Sequence, residues 1–515
     1  MLSAATLLAL AGLTTTLWQA GASQTIGGAH MPKTWITFKD GKLTYHADAY
    51  GNRIPDFSSV GYQHGDRGLP HRPVVTALAP KTSGDDTARI QSAVDRAAAN
   101  GGGAVLLKPG TYRIGGTVRL NRPGVVLRGS GAKTVLAGTG RPHTLVSIGG
   151  PGRVTRAGPA LRVTDQYVPV GSDIVHVNGA AQHFARGDRV IVQRPMGNKW
   201  IHEIGMDRIP PRPDGERVVQ WPAGTGHEFQ RTVRRVSGNT LVLDVPLPQA
   251  LESKYTKATV WKYRFPGRIR ESGLEHLTGN GQAFEADPSW RDTGYFDSRL
   301  VSIDNAENSW VRSVTATRFG QAFAFGSGAL HSTILNTQSL DVSVPDEVQG
   351  TPAAYSISGQ QTLIRNCRVK GTNVQPWATM SRVPGPNVVT NCTAVNTGSG
   401  LLLAGPHQRW ATGTLYDRVR MNVTGTLAIE DRRWMGTGQG WAGANNVLWN
   451  CSVGSYKVEK PPTAYNWAVG CTGRHMPTAP NRNPGQVQSP GAHVRPDSLY
   501  QQQLLERRAA QHARP

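Results

Sequence analysis

The feature that most constrains the fold is a short phrase that recurs three times. The copies lie at residues 363–369, 388–395 and 447–453. In each of them a short run of mostly apolar and β-branched residues precedes an Asn-Cys pair, and two or three more residues follow it. The first two cysteines are 25 residues apart and the third follows 59 residues later, which suits one coil and then two or three coils of a solenoid with repeats of roughly 20–50 residues. Degenerate copies, with Val or Thr in place of Cys, stand at residues 309–315 and 334–340. This spacing predicts a parallel β-helix, and a β-sandwich with similarly spaced strands is the alternative.

Composition agrees with a chain of short strands and turns. The 515 residues include 60 glycines and 34 prolines, and only 17% are charged. A formal net charge of +22 is spread along the chain rather than gathered in one basic block. The expected partner is therefore an extended anionic surface, and nucleic acid, an anionic cell wall or an acidic polysaccharide would each satisfy the charge.

The N-terminus has the features of a secretory signal. Residues 4–18 are mostly apolar and are followed by Ala20-Gly21-Ala22, a pattern of small residues at a cleavage site. We therefore predict that residues 1–22 form a signal peptide and that the protein is secreted, although the usual positive charge before the apolar run is missing. No run is long enough to predict a transmembrane helix.

The cysteines are predicted to have a structural role. Cys367, Cys392 and Cys451 occupy the same place in the phrase, so they should stack inside the coil as small apolar side chains. Cys471 lies outside the phrase, and a Cys451–Cys471 disulfide is the one bridge that the sequence leaves open. No CxxC or His/Cys spacing indicates a structural zinc site.

The domain organisation follows from changes in pattern along the chain. A helix should begin near Asp86 and end at the glycines of residues 101–103. We predict a leader or cap, the start of the β-helix, a β-rich insertion, the main β-helix, and a Pro/Gly-rich strap with a terminal helix, at residues 23–82, 83–154, 155–262, 263–475 and 476–515.

The opening of the predicted β-helix carries a family resemblance. The order is Gly-Asp-Asp-Thr at residues 84–87, a short helix, three glycines, and Val-Leu-Leu-Lys-Pro-Gly-Thr-Tyr at residues 105–112. This order resembles the N-terminal cap and first coil of the pectate lyase-like superfamily, over roughly residues 80–475. The resemblance implies an all-β, right-handed parallel β-helix with an N-terminal capping helix, here with a small β insertion and a C-terminal helical tail. Lyases, glycoside hydrolases, epimerases and phage tailspikes share this fold, so the resemblance does not choose a reaction.

The densest group of reactive side chains lies between the second and third copies of the phrase. It contains His407, Arg409, Trp410, Tyr416 and Asp417. Arginine can grip a carboxylate, tryptophan can stack on a sugar, and histidine can transfer protons. We predict catalytic roles for the His, Arg and Asp, and substrate binding by the Trp and Tyr. The alternative is that the aromatic rings only pack and that Arg409 pairs with Asp417.

Neighbouring coils supply further candidates. Arg382 is predicted to join the catalytic group, and Arg318, His331 and Trp441 are predicted to bind substrate. Trp441 belongs to a glycine-rich turn, residues 436–446, which should lie one coil beyond His407.

A third group contains the carboxylates Asp341, Asp346 and Glu347. Such a group suits Ca²⁺ ligands that neutralise a uronate carboxylate, or an acid/base pair for hydrolysis. Solvated loop charges are the alternative. Ca²⁺ is therefore the candidate cofactor.

The predicted function is a secreted carbohydrate-active enzyme that cleaves an acidic polysaccharide by β-elimination, a polysaccharide lyase. The resemblance implies an Arg base and a cation that neutralises the uronate. Neither the Ca²⁺-ligand set of the lyases nor the paired aspartates of polygalacturonase-like hydrolases is matched residue by residue. A glycoside hydrolase and a non-catalytic, tailspike-like glycan-binding module therefore remain as alternatives, and a nucleic-acid binder ranks behind both.

Overall fold

A right-handed parallel β-helix forms the body of the protein, as predicted. The computed structural model describes residues 31–282, 298–342 and 351–512. Within them, a sheet of 29 strands is built almost entirely from parallel pairs, which excludes the β-sandwich alternative. One column of stacked residues runs the length of the solenoid: Val105, Leu127, Leu274, Val311, Ile334, Ile364, Val389, Tyr416, Leu448, Ala468 and Val487.

The described part of the leader and the first coils contains nine strands, one α-helix and a short 3-10 helix, Tyr62–Gly65. They are β1 (Ile36–Lys39), β2 (Lys42–Tyr45), β3 (Val74–Leu78), α1 (Thr87–Ala99), β4 (Gly103–Leu107), β5 (Gly110–Ile114), β6 (Val118–Leu120), β7 (Val125–Gly129), β8 (Thr134–Gly138) and β9 (Thr144–Ile148).

Helix α1 closes the end of the solenoid. Its apolar face, Ile90, Ala93, Val94 and Ala97, is buried in the same core as the first coils. Burying each larger side chain contributes about 1.5–3 kcal/mol. The predicted cap differs in one detail: Asp86 occupies the N-cap position without a side-chain capping bond, and its neighbour Asp85 accepts the first helical N–H, from Thr87, at 2.8 Å.

The insertion forms its own antiparallel sheet. Its elements are β10 (Thr155–Arg156), β11 (Leu161–Arg162), β12 (Tyr167–Val168), β13 (Ile174–His176), α2 (Ala180–His183), β14 (Arg189–Met196), α3 (Asn198–Glu203), β15 (Gly224–Ser237), β16 (Thr240–Leu243), β17 (Leu251–Glu252) and β18 (Thr259–Arg264). The strand order is β10-β18-β14-β15-β16-β13, with β11 also on β18. Strands β15 and β16 form a hairpin, and a turn at residues 186–187 leads into strand β14.

The main β-helix and the C-terminal segment follow. Their elements are β19 (Ile269–Arg270), β20 (Gly273–Asn280), β21 (Arg299–Ile303), β22 (Ala306–Glu307), β23 (Trp310–Thr317), β24 (Phe323–Phe325), β25 (Thr333–Leu335), β26 (Gln338–Val342), β27 (Ala353–Ile357), β28 (Leu363–Arg365), β29 (Arg368–Gly371), β30 (Gln375–Thr379), β31 (Asn387–Thr390), β32 (Thr393–Asn396), β33 (Leu402–Pro406), β34 (Ala411–Thr412), β35 (Thr414–Asp417), β36 (Arg420–Met421), β37 (Gly425–Ile429), α4 (Met435–Gly438), β38 (Gly443–Ala444), β39 (Val447–Trp449), β40 (Ser452–Lys460), β41 (Trp467–Val469), β42 (Thr472–His475), β43 (Asn483–Pro484), β44 (Gln486–Gln488) and α5 (Leu499–His512).

The Asn-Cys phrase marks the same corner on several coils, and Arg418-Val419 takes its place on the coil between Cys392 and Cys451. Asn336, Asn366 and Asn391 all have left-handed backbone conformations, with φ of 53°, 55° and 52°, which Asn adopts more readily than most residues. Their amides form a ladder: Asn366 Nδ2 donates to Asn336 Oδ1 at 3.1 Å, and Asn391 Nδ2 donates to Asn366 Oδ1 at 2.8 Å. The phrase is therefore scaffold.

The cysteines line the interior of the solenoid. All four are buried and free, so the disulfide left open by the sequence is not formed. Cys471 belongs to the same stack as the others, because Trp449 pairs with Val469 and Ser452 pairs with Thr472 in the adjacent coil.

The predicted signal peptide, residues 1–22, lies outside the described residues. No helix within residues 31–282, 298–342 and 351–512 is long and apolar enough to cross a membrane.

Candidate functional site

His407 lies at the centre of a polar network on the edge of the β-helix. It directly follows β33 and is half-buried. Its Nδ1 lies 3.0 Å from Gln375 Oε1, and its Nε2 lies 3.2 Å from Gln439 Nε2. Since the Gln375 oxygen can only accept, we assign the proton to Nδ1, and the lone pair of Nε2 accepts the Gln439 Nε2–H.

The electrostatic surroundings keep this imidazole neutral. Arg432 Nη1 lies 3.2 Å from the His407 carbonyl oxygen, to which it donates, and the same distance from Nδ1. Burial, and then the positive charge of Arg432, lower the pKa of His407 to about 4. At neutral pH the side chain is therefore an uncharged base.

Two further arginines stand at one corner of successive coils. The Arg382 N–H donates to the Arg409 carbonyl at 2.9 Å, and the Arg409 N–H donates to the Gln439 carbonyl at 3.0 Å, so Arg382, Arg409 and Gln439 stack. The Arg409 guanidinium donates to Thr437 Oγ1 at 3.1 Å, and burial and the charge of Arg382 lower its pKa. We call His407, Arg382, Arg409 and Arg432 the arginine patch.

The arginine patch has an excess of positive charge. In the part of the chain that the structure describes, none of its three guanidiniums forms an ion pair with a carboxylate. The nearest acidic side chains are committed elsewhere: Glu430 pairs with Lys457 at 3.0 Å and Asp431 pairs with Arg482 at 2.5 Å. The patch can therefore bind an anion that brings its own charge.

The backbone of the patch is strained. Arg382, Arg409 and Trp410 have φ of 56°, 51° and 63°, and none of these residue types favours the left-handed region. Such conformations cost of order 1–3 kcal/mol each. The same conformation recurs at other coil corners, for example at Asn391 and Arg418, so at Arg382 and Arg409 it is part of the β-helix scaffold.

The two tryptophans predicted to stack on substrate are buried instead. Trp410 is 0% exposed, and its ring packs edge-on against Trp200 of the insertion, with the centroids 4.7 Å apart. Trp441 is 3% exposed and its Nε1 donates to Ile204 O at 3.2 Å. Because the insertion covers both rings, neither presents a face to a sugar, and these two predictions are corrected.

Tyr416 and Asp417 also lie away from the arginine patch. Tyr416 is in the solenoid core. Asp417 is fully buried and accepts hydrogen bonds from Thr390 Oγ1 at 2.7 Å, Ser498 Oγ at 2.5 Å and the Leu499 N–H at 3.0 Å. Its carboxylate thus caps helix α5, and burial raises its pKa to about 6. The buried positions of Asp417 and Tyr416 therefore contradict the predicted catalytic role of Asp417 and the predicted substrate binding by Tyr416. They also contradict the alternative, an ion pair between Arg409 and Asp417.

The remaining predicted residues lie on other coils. Arg318 is on a different corner of the solenoid, two coils before Arg382, and its N–H bonds to Leu340 O at 3.0 Å. His331 is buried against His64 of the leader. Neither belongs to the arginine patch.

The predicted Ca²⁺ ligands do not form a site in the described residues. Asp341 is exposed on β26, and Asp346 and Glu347 lie outside the described residues. A single carboxylate does not supply the six to eight oxygen ligands of Ca²⁺. Ca²⁺ therefore stays a prediction from the sequence.

Sequence reasoning missed Gln375, Gln439 and Arg432 as members of the network around His407. They are 32, 32 and 25 residues from it. A repeat of about 25–32 residues was visible in the Asn-Cys spacing, so a search one coil before and one coil after His407 would have found all three.

Comparisons with known proteins give similarity at the level of architecture. No family model matches the chain, and no curated protein matches it. The tailspike protein gp49 from Pseudomonas phage LKA1 is 12% identical, with a TM-score of 0.33 over 79% of this chain and 72% of that one. A tailspike of E. coli bacteriophage HK620 in complex with a pentasaccharide is 10% identical, with a TM-score of 0.41 over 77% of this chain and 55% of that one.

A third similar structure is the Gp54 tailspike of Acinetobacter baumannii bacteriophage AP22 in complex with a capsular saccharide. It is 12% identical, with a TM-score of 0.34 over 79% of this chain and 64% of that one. At these values the likeness concerns the fold only, and the fold assignment here depends on the strand register. The resemblance to the pectate lyase-like superfamily stays a prediction beyond the β-helix itself.

Proposed function

We propose that the protein binds an acidic polysaccharide at the arginine patch. The observation that carries the proposal is a set of three arginines without carboxylate ion pairs among the described residues. Arg432 contacts the neutral imidazole of His407, and Arg382 and Arg409 occupy stacked corners of successive coils. Arginine presents paired N–H donors that match carboxylate and sulfate oxygens. A uronate or sulfated sugar supplies such an anion at each charged unit.

A polymer suits the patch better than a single small anion. Arg382 and Arg409 stack at one corner of successive coils, which are about 4.8 Å apart in a stacked sheet. Arg432 lies on the following coil, so the positive charge extends over more than one coil of the solenoid. The net charge of +22 also favours a long polyanion, because it raises the local concentration of any extended negative chain.

Elimination at this patch is the second candidate function. A uronate carboxylate held by Arg409 or Arg432 would acidify its C5 proton. His407 Nε2 would take that proton, the electron pair of the C5–H bond would form the C4=C5 double bond, and the C4–O bond would break. The proton on His407 would then pass to the leaving oxygen. With a pKa of about 4, His407 is unprotonated at neutral pH, which is the form that a general base needs. The same low pKa makes it a weak base, since general-base catalysis is most efficient when the pKa lies near the working pH.

Hydrolysis has less support from the same residues. It needs two carboxyl groups flanking the scissile bond, one of them protonated. Near the patch, Glu430 and Asp431 are both engaged in ion pairs. The lyase prediction therefore remains ahead of the hydrolase alternative, and glycan binding without turnover remains the minimal form of the proposal.

Binding is tested with a panel of polygalacturonate, alginate, a sulfated glycan, a neutral glucan and single-stranded DNA. Arg409→Gln should weaken binding to one acidic glycan about tenfold or more, since a hydrogen bond to a charged group contributes roughly 1.5–3 kcal/mol. Arg96→Gln is the matched control, because Arg96 is an exposed arginine on α1 and its replacement removes the same charge. An equal loss in both variants, or affinity for DNA alone, would contradict the proposal.

Turnover is tested on the polymer that binds. Elimination gives an unsaturated product that absorbs ultraviolet light, and His407→Gln should abolish this signal while binding remains. Activity should rise as the pH increases through about 4, where His407 loses its proton. New reducing ends without absorbance would identify a hydrolase instead, and binding with neither product would leave a glycan-binding module.

A further inference from the structure

A second group of side chains is assembled far from the arginine patch in sequence. His64 comes from the leader, Asp244 from the end of the insertion hairpin, and His331 from a corner of the main β-helix. One ligand atom of each lies within 4.8 Å of the other two, and no other group of three His, Cys, Asp or Glu within the described ranges meets this criterion. We call these residues the His/Asp cluster.

The two imidazoles of the His/Asp cluster are held unusually close. Their ring centroids are 3.8 Å apart, with the planes at 44°. Both residues have left-handed backbones, with φ of 58° for His64 and 46° for His331. The left-handed backbone of His331 is shared by other coil corners, so the unusual feature is the close approach of the two rings.

One nitrogen of the cluster has no use within the protein. His331 is 4% exposed, and its Nδ1 is buried without a hydrogen-bond partner. Buried polar atoms are normally satisfied, so each exception in a native structure calls for an explanation such as an ion. A metal ion would use this lone pair.

We propose that His64, His331 and Asp244 bind a divalent transition metal ion of the Zn²⁺ class. Two imidazoles and one carboxylate are a standard ligand set for Zn²⁺, with bonds of about 2.0–2.2 Å. Tetrahedral geometry with these bonds puts the ligand atoms roughly 3.4 Å apart. The observed limit of 4.8 Å therefore requires only small side-chain rotations.

The carboxylate of the cluster is already oriented. Asp244 Oδ1 accepts the Thr232 N–H at 2.8 Å, across the hairpin of β15 and β16. This hydrogen bond holds Oδ1 in place and leaves Oδ2 to bind the ion. Hydrogen bonds of this kind commonly orient metal-binding side chains.

The arginines around the cluster have their own partners. Arg507 pairs with Asp66 at 2.7 Å, and Arg189 pairs with Glu307 at 2.5 Å. Arg231 donates to the Val245 carbonyl at 2.8 Å. Arg268 donates to Gln230 Oε1 at 2.8 Å.

The site is open on one side. His64 and Asp244 line a cavity of about 470 Å³ that also reaches Asp66 and Glu506. A tetrahedral ion bound by these three residues would have a fourth coordination position that faces the cavity. Water or another ligand could occupy it, as in catalytic zinc sites, which have three protein ligands. The inference concerns only the ion and does not depend on the arginine patch.

The test uses the full chain, stripped with a chelator and titrated with Zn²⁺ alone, and with Co²⁺ as a spectroscopic substitute. We expect one ion per chain and a visible Co²⁺ spectrum typical of nitrogen and oxygen ligands. Asp244→Asn, which keeps the shape of the side chain, should reduce the affinity at least tenfold, and His331→Ala should remove the Co²⁺ spectrum. His183→Ala is the matched control, because His183 is exposed on α2.

The folding of each variant is checked by circular dichroism of the metal-free protein. If His331→Ala does not fold, the isosteric Asp244→Asn variant decides. Sub-stoichiometric binding by the wild type, or equal affinity in the wild type and Asp244→Asn, would overturn the proposal. Metal binding that survives Arg409→Gln, as we expect, separates this inference from the proposed function.

Discussion

The contact between His227 and Trp410 should make the docking of the insertion sensitive to acid. His227 lies on β15, is 0% exposed, and its Nε2–H donates to the Trp410 carbonyl oxygen at 2.9 Å. Burial, and then the charge of Arg194, lower its pKa to about 3; Arg382 adds to the effect and the bond to Trp410 opposes it. Protonation is therefore strongly unfavourable while the insertion is docked.

The size of the effect follows from the difference between the two pKa values. An exposed histidine titrates near 6.5, so between pH 6.5 and about 3 the unfolded chain binds a proton at His227 that the folded chain does not. The free energy of unfolding then falls by about 1.4 kcal/mol for each pH unit below 6.5. At pH 4.5 the loss attributable to this one residue is about 2.7 kcal/mol, and above pH 6.5 it vanishes.

The assay compares urea unfolding of the wild type and His227→Gln from pH 7.5 to 4.5, followed by tryptophan fluorescence. Gln can donate to the Trp410 carbonyl but does not titrate, so any constant cost of the substitution cancels in the pH dependence. The wild type should lose about 2.7 kcal/mol more than the variant across this range. Parallel curves would refute the reasoning, and His183→Gln, at an exposed position, should match the wild type.

Three further predictions concern the scaffold. Asp417→Ala removes the acceptor of Ser498 Oγ and the Leu499 N–H, so limited proteolysis of residues 476–515 should accelerate while binding at the arginine patch is unchanged. Asn391→Ala should destabilise the protein by about 1 kcal/mol more than Asn391→Gly in urea unfolding, because φ is 52° there and alanine resists the left-handed region. The four cysteines are buried, so a thiol reagent should label them only at the rate of unfolding.

The fold was predictable because its sequence signal is local. At each coil corner the backbone needs a left-handed residue and the next side chain points inward, and Asn-Cys meets both demands within two residues. The signal weakened where other residues met the same demands. Gly470 takes the place of Asn, with φ of 67°, which is why Cys471 appeared to lie outside the phrase.

The candidate site was only partly predictable because most of its contacts are distant in sequence. His407 and Arg409 lie on one loop, and their proximity needed no tertiary information. The burial of Trp410 depends on His227 and Trp200, 183 and 210 residues away. No spacing along the chain indicates which face of a loop an insertion will cover.

The insertion emerges as the element on which both candidate sites depend. Its strand β15 carries His227, which donates a hydrogen bond to the Trp410 carbonyl oxygen in the loop of the arginine patch. Asp244 directly follows strand β16, which pairs with β15. The two strands pair from Val233↔Leu243 to Ser237↔Thr240, with a register shift between Val233 and Arg235. Because they are hydrogen-bonded to each other, detachment of the insertion from the β-helix would also carry Asp244 away from His64 and His331. Damage to the insertion should therefore impair both sites together, whereas a substitution at the surface of either site should affect that site alone.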